Sequence, residues 1–168
     1  NDDAVRLFQN DGSGRMTEIG ADVGYVDTRS GKGIVVFDYD ADGDLDIFIA
    51  NNADRPVLYR NDGGNARPWL QVELRGQRTN ADGIGARIYV QVHENGDVQM
   101  RERIGGSNFM SQNESIDHFG LGDEVSTIHE VRVVWPASGT EVVRRNVAPN
   151  QRIVVEEQPA RSFDAPGQ

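Results

Sequence analysis

The chain alternates short apolar runs with turns rich in glycine and aspartate, and this pattern predicts strands along its whole length. β-Branched and aromatic residues dominate the runs, which show no helical periodicity. The expected strands cover residues 34–38, 45–50, 57–60, 69–74, 86–92, 98–104, 129–135, 141–147 and 152–157. The sequence therefore predicts an all-β protein.

The pattern changes after Gly63-Gly64. Before this point lies one unit of strand, acidic loop and strand, whereas the later strands alternate polar and apolar residues and include an Asn95-Gly96 hairpin signal. Six such strands suffice for an antiparallel sandwich. We predict a calcium-binding repeat at 1–64, a β domain at 65–157 and a disordered tail at 158–168.

Five aspartates fall within residues 38–46, between the apolar runs IVVF and IFIA. Calcium takes six to eight hard oxygen ligands at about 2.3 to 2.6 Å, and a short loop supplies them if alternate side chains turn inward and a glycine permits the bend. Gly43 stands where this bend is needed. Asp44 is expected to offer its backbone carbonyl, with its carboxylate facing solvent. The predicted metal residues are Asp38, Asp40, Asp42, Asp44 and Asp46.

An EF-hand begins with the same spacing of aspartates. Its twelfth position carries a bidentate glutamate, but this chain has Ile49 there, and the flanking runs are strands rather than helices. Magnesium is disfavoured because it prefers rigid octahedral geometry and keeps its waters. The loop is therefore predicted to join two strands and to bind calcium.

Charge and composition limit the classes of partner and the cellular compartments that are compatible with the sequence. The formal net charge is -10, and a nucleic-acid partner would require a basic surface. The absence of cysteine excludes disulfides and thiol catalysis, and no apolar run is long enough to span a bilayer. Because a simple carboxylate loop of modest affinity fills mainly where calcium is abundant, we expect an exported protein at a periplasmic, cell-surface or extracellular location.

Two similar segments, LFQNDGSG at 7–14 and LYRNDGG at 58–64, begin 51 positions apart. Together with the aspartate loop they resemble the FG-GAP or VCBS repeat of β-propellers, over residues 5–64. The resemblance implies a calcium loop joining two strands of a blade. Since a propeller needs at least four blades, a single one is expected to pack on the second half of the chain or on a partner.

Four segments of the second half resemble the ASPIC/UnbV domain, which ends many FG-GAP/VCBS proteins, including the cartilage acidic protein type and bacterial exported relatives. They are NADGIGARIYV at 80–90, GGSNFMSQNESIDHFGLG at 105–122, VRVVWPASG at 131–139 and NQRIVVEE at 150–157. The resemblance implies architecture and an exported compartment rather than a reaction.

Other candidate residues have simpler structural interpretations. His118 is interpreted as a partly buried histidine that hydrogen-bonds a loop. Asp82 is interpreted as the acceptor of backbone hydrogen bonds in a tight turn, in which Gly83 and Gly85 adopt positive φ. Trp69 and Trp135 are interpreted as core anchors. The polar loop 105–122 is either a recognition surface or a cover for a strand edge.

These observations favour a non-catalytic, calcium-stabilised exported module for structure or protein association, as a subunit or terminal piece of a larger assembly. The alternative is a carbohydrate-binding or adhesive module that uses the 105–122 loop, with a glycan as its ligand. A third hypothesis is an enzyme with two carboxylates or a histidine in a cleft, although no nucleophile motif supports it.

Overall fold

A computed structural model describes residues 5–159, and this part of the chain is built from strands and one short 3₁₀ turn. The all-β prediction is confirmed. The strands are β1 (Phe8–Asn10), β2 (Met16–Glu18), β3 (Gly31–Phe37), β4 (Asp46–Asn51), β5 (Val57–Tyr59), β6 (Trp69–Arg75), β7 (Arg87–Gln91), β8 (Val98–Glu102), β9 (Ile116–Gly120), β10 (Ile128–Trp135), β11 (Thr140–Val147) and β12 (Gln151–Glu156). The 3₁₀ turn is Gly64–Ala66.

The chain forms two compact units. The first contains residues 5–40, 45–61 and 106–114, and the second contains residues 41–44, 62–105 and 115–159. The tail predicted to be disordered lies, from residue 160 onward, outside the described residues.

The first unit holds a β1–β2 hairpin and a three-stranded antiparallel sheet in the order β3-β4-β5. The two similar sequence segments each contain a short strand, β1 or β5, followed by a polar turn at residues 11–14 or 61–64. In the first copy the Asn10 side chain accepts a hydrogen bond from the Gly12 amide at 2.9 Å. The sheet presents the aspartate loop at the β3–β4 connection.

The second unit is a sandwich of two sheets, in the orders β11-β10-β7-β8 and β12-β6-β9. Alternate residues of both sheets point into one core, because side chains of a strand alternate between its faces. The core residues of the sheets are Leu70, Val72, Leu74, Ile88, Val90, Phe119, Ile128, Val131, Val133, Trp135, Ile153 and Val155. Burial of Trp135 confirms its interpretation as a core anchor.

One pair in this unit departs from the antiparallel expectation. β12 runs parallel to β6, whereas β9 pairs antiparallel with β6 on its other side. A parallel pair needs a long crossover, which here is the whole chain between residues 75 and 151. Strand periodicity does not specify such a pairing.

Within residues 5–159, no helix has the length and apolar character required to cross a bilayer.

Candidate metal site

The aspartate loop, residues 38–46, connects the ends of β3 and β4. Its last paired residues are Phe37 and Asp46, which face each other across the hairpin. Two residues of the loop, Ala41 and Gly43, have positive φ angles of 60° and 100°. These left-handed residues bend the chain sharply, as a short ligand loop requires.

The loop brings three of the five predicted metal residues together. Carboxylate oxygens of Asp38, Asp40 and Asp42 all lie within 4.8 Å of one another. Oxygens bound to one Ca²⁺ at about 2.3 to 2.6 Å can lie at most about 5 Å apart, so this spacing fits one ion. Asp38 is 8% exposed, whereas Asp40 and Asp42 are exposed, which leaves the cluster accessible from solvent.

Asp46 instead forms hydrogen bonds with backbone amides of the loop and of the segment after β5. Its side chain is fully buried, and its two oxygens accept hydrogen bonds from the backbone amides of Tyr39 at 2.9 Å and Asn61 at 2.8 Å. Each oxygen has a second lone pair, so these bonds do not preclude a metal contact. The carboxylate thereby fixes the start of the loop relative to the turn that follows β5.

Asp44 differs from the sequence expectation of a solvent-facing carboxylate. It is 2% exposed, and its Oδ2 accepts hydrogen bonds from the amides of Gly64 at 3.0 Å and Asn65 at 3.3 Å. The first amides of a helical turn have no partner within the turn, and Gly63, which precedes it, has no side chain to offer. Asp44 therefore caps the 3₁₀ turn from a distant part of the sequence.

Gly43 also has a steric reason to be glycine. A Cβ atom at this position would lie 2.0 Å from the indole ring of Trp69. Trp69 is partly buried and lies 6.3 Å from the ring of His118, with the two rings nearly parallel. The tryptophan thus packs on the turn of the loop, where the sequence alone identified only a core anchor.

His118 and the turn at Asp82 are two further candidates from the sequence. His118 is partly buried, and its backbone carbonyl accepts a hydrogen bond from Arg101 at 2.8 Å. Gly83 and Gly85, which follow Asp82, have φ angles of 69° and 89°, so the predicted positive φ of both glycines is confirmed. The Ile84 amide of this turn donates to Asn80 Oδ1 at 2.6 Å.

Sequence reasoning missed a second carboxylate centre, at Glu157. This side chain is fully buried, and its Oε2 accepts hydrogen bonds from the amides of Gln77, Arg78 and Thr79 at 2.9, 2.8 and 3.0 Å. The hydroxyl of Thr79 donates to the same oxygen at 3.0 Å, and that of Ser138 donates to Oε1. Burial alone would raise the pKa of Glu157, but the bonds from Ser138 and these amides outweigh it and lower the pKa to about 2.

Arg103 and Asp117 form a buried ion pair in the second unit. The guanidinium Nη2 lies 2.8 Å from the carboxylate Oδ2. Burial raises the pKa of Asp117, and the charges of Arg103 and Arg101 act in the opposite direction.

Comparison with known proteins gives two family matches along the chain. A family model described as ASPIC and UnbV matches residues 76–162, and one described as FG-GAP-like repeat matches residues 1–49. Both agree with the resemblances carried by the sequence motifs.

The chain is also similar to Cartilage acidic protein 1 of Homo sapiens and Mus musculus. Identity is 36% and 35% over 122 residues, which is 70% of this chain and 17% and 18% of those proteins. The Xenopus tropicalis protein of the same name is 31% identical over the same length. The chain thus spans less than a fifth of the length of these relatives.

Proposed function

Because the chain belongs to the ASPIC and UnbV family and carries an FG-GAP-like repeat, we propose that it is a non-catalytic, calcium-stabilised module of structure and protein association that acts outside the cytoplasm. The observation that carries the proposal is the convergence of Asp38, Asp40 and Asp42 within 4.8 Å. Two unit charges about 4 Å apart near a protein surface repel by about 4 kcal/mol. A divalent cation among the carboxylates would attract each of them and make the total electrostatic energy of the cluster favourable.

The aspartates of the loop have two different proposed roles. Asp38, Asp40 and Asp42 would bind the cation, while the buried Asp44 and Asp46 accept hydrogen bonds from backbone amides of the segment that follows β5. Bound calcium supplies a double positive charge that accepts several oxygen ligands. Because binding requires the folded hairpin, calcium at 100 times its Kd would add about 2.7 kcal/mol of stability.

Calorimetric titration with calcium chloride tests the metal part. We expect saturable binding to the wild type. The Asp40→Asn variant should bind calcium at least about tenfold more weakly, because it loses one charged ligand. Asp40 is exposed, so its replacement leaves the packing intact. Asp22→Asn, which removes one exposed aspartate from the turn at residues 20–24, is the matched control and should bind as the wild type does. A wild type that releases or takes up no heat and shows no competition with a calcium indicator would contradict calcium binding.

The association part is supported by exposed apolar side chains on an edge strand. β8 lies at one edge of the four-stranded sheet, and Val98 and Met100 on this strand are about half exposed. Apolar side chains on an edge strand favour pairing with another chain.

Light scattering at rising concentration tests the association part separately. We expect a mass above the 18.5 kDa of one chain, and a return toward that mass in the double variant Val98→Lys, Met100→Lys. A mass of one chain at every concentration would contradict self-association through this edge, without affecting the calcium assignment.

A further inference from the structure

Residues 107–114, here called the edge segment, lie along the outer edge of β3 within the first unit. β3 is an edge strand, so every second amide of the strand points away from β4. Three outward amides in a row donate to side chains of the edge segment. The bonds are Ile34 N to Ser111 Oγ at 3.2 Å, Val36 N to Asn113 Oδ1 at 3.0 Å and Asp38 N to Glu114 Oε1 at 3.2 Å.

The carbonyl of Ile34 on the same edge is satisfied in the same way. It accepts hydrogen bonds from Ser111 Oγ at 2.7 Å and from Asn108 Nδ2 at 2.9 Å. The segment is folded on itself, since the Asn113 amide donates to Ser107 Oγ at 3.1 Å. Polar side chains thus do for β3 what the backbone of a neighbouring strand would do, and they block the edge against other strands.

Glu114 stands where the edge segment meets the aspartate loop. Its carboxylate bonds to the amide of Asp38, the first residue of the loop and one of the three that converge. Docking the segment therefore adds a negative charge beside a cluster that is already negative. Such an arrangement is favourable when a cation is bound and unfavourable when it is absent.

We propose that Glu114 is a positioning residue that couples cation binding in the aspartate loop to docking of the edge segment on β3. The inference depends on the calcium binding proposed above. By linkage, calcium strengthens the docking and the docking strengthens calcium binding by the same factor. The exposed tip of the segment, Phe109-Met110, is then held in a fixed place in the calcium-bound protein and released in the calcium-free one.

Amide hydrogen exchange of the wild type tests the coupling without any substitution. In calcium, the amides of Ile34, Val36 and Asp38 should be protected, and in chelator they should exchange about tenfold faster or more. Val72, in the core of the second unit, is the internal reference and should exchange equally in both conditions. Equal exchange of Val36 with and without calcium would contradict the coupling.

Calcium affinity of segment variants tests the reverse direction. Asn113→Ala removes the bond to Val36, and we expect its calcium affinity to fall about fivefold, which corresponds to one hydrogen bond. Glu114→Gln keeps an acceptor but removes the charge, so it should dock in chelator and lose most of the calcium dependence of exchange. Gln112→Ala, an exposed neighbour in the same segment, is the control and should bind calcium as the wild type does.

The outcomes separate the two proposals. If the wild type binds calcium and Asp40→Asn does not, but Asn113→Ala binds with unchanged affinity, the coupling is wrong and the metal site stands. If the wild type binds no calcium, both are wrong.

Discussion

Two carboxylate centres of this chain, Glu157 and the aspartate loop, differ in how their negative charge is stabilised. Glu157 is a single buried carboxylate whose oxygens accept hydrogen bonds from three backbone amides and two side-chain hydroxyls of the same chain. The aspartate loop gathers three carboxylates within 4.8 Å at an accessible turn. The first centre is complete without a ligand, whereas like charges at that spacing favour a cation from outside. A carboxylate that receives enough donors from its own chain is a structural anion, whereas the clustered carboxylates of the loop are the proposed metal ligands.

The same contrast exists inside the loop. Asp44 and Asp46 are buried and accept backbone amides, as Glu157 does, while Asp40 and Asp42 are exposed. Variants of these residues should therefore respond differently to calcium.

Glu157→Gln should cause the largest loss of stability. The amide group has one oxygen where the carboxylate has two, and its NH₂ group would face donors, so buried amides or hydroxyls lose their acceptor. We expect a loss of about 3 to 4 kcal/mol, in calcium and in chelator alike, by urea unfolding. Glu156→Gln, at the exposed neighbouring position, is the control and should change stability by less than about 0.5 kcal/mol. A loss that appeared only in calcium would break the distinction between the two centres.

Acid should remove the same contribution. Because the pKa of Glu157 is lowered from 4.5 to about 2 in the folded protein, its stabilisation is fully present above pH 4.5 and disappears as the pH falls toward 2. The shift corresponds to roughly 3 kcal/mol. The difference in unfolding free energy between wild type and Glu157→Gln should therefore shrink over this range. A difference that stays constant from about pH 5 to about pH 2.5 would contradict the assigned charge state.

Asp44→Ala should destabilise the protein by about 1 to 3 kcal/mol whether or not calcium is present. The substitution leaves the amides of Gly64 and Asn65 without their acceptor. Urea unfolding in calcium and in chelator measures the effect. A variant that is as stable as the wild type in chelator would show that Asp44 acts through the metal instead.

Asp40→Asn should have the smallest effect on stability, and the direction of this effect should depend on whether calcium is present. In chelator it relieves repulsion and should stabilise the protein by about 0.5 to 1 kcal/mol, whereas in saturating calcium it should destabilise it relative to the wild type. Thermal melting in the two conditions measures both signs, with Asp22→Asn as the control. Destabilisation of equal size in both conditions would contradict a role of Asp40 as a metal ligand and would indicate a calcium-independent structural role like that of Asp44.

Sequence reasoning succeeded where the determining contacts are local. The pattern of short apolar and alternating runs located nine of the strands to within a few residues, and the spacing of Asp38, Asp40 and Asp42 indicated their convergence. It missed β1 and β2, which are three residues long and exposed, and β9, where IDHFG mixes polar and apolar residues. Short or mixed strands carry too little periodicity to stand out.

Contacts between distant parts of the chain explain the remaining differences. Asp44 caps amides that follow 20 and 21 residues later, and Glu157 accepts amides from about 80 residues earlier. The edge segment meets β3 across 77 residues, so the sequence could only offer an edge cover as one of two interpretations of the 105–122 loop. Neither spacing nor composition identifies such partners.

Thermal unfolding of the wild type in saturating calcium and in chelator is the most direct test of the central claim. We expect calcium at 100 times its Kd to raise the melting temperature by roughly 5 to 10 °C, which corresponds to about 2.7 kcal/mol for a chain of this size. Asp40→Asn should lose about half of this shift or more, because tenfold weaker binding leaves about 1.4 kcal/mol of stabilisation at the same calcium concentration. Asp22→Asn should keep the whole shift. Identical melting temperatures of the wild type in calcium and in chelator would contradict the account.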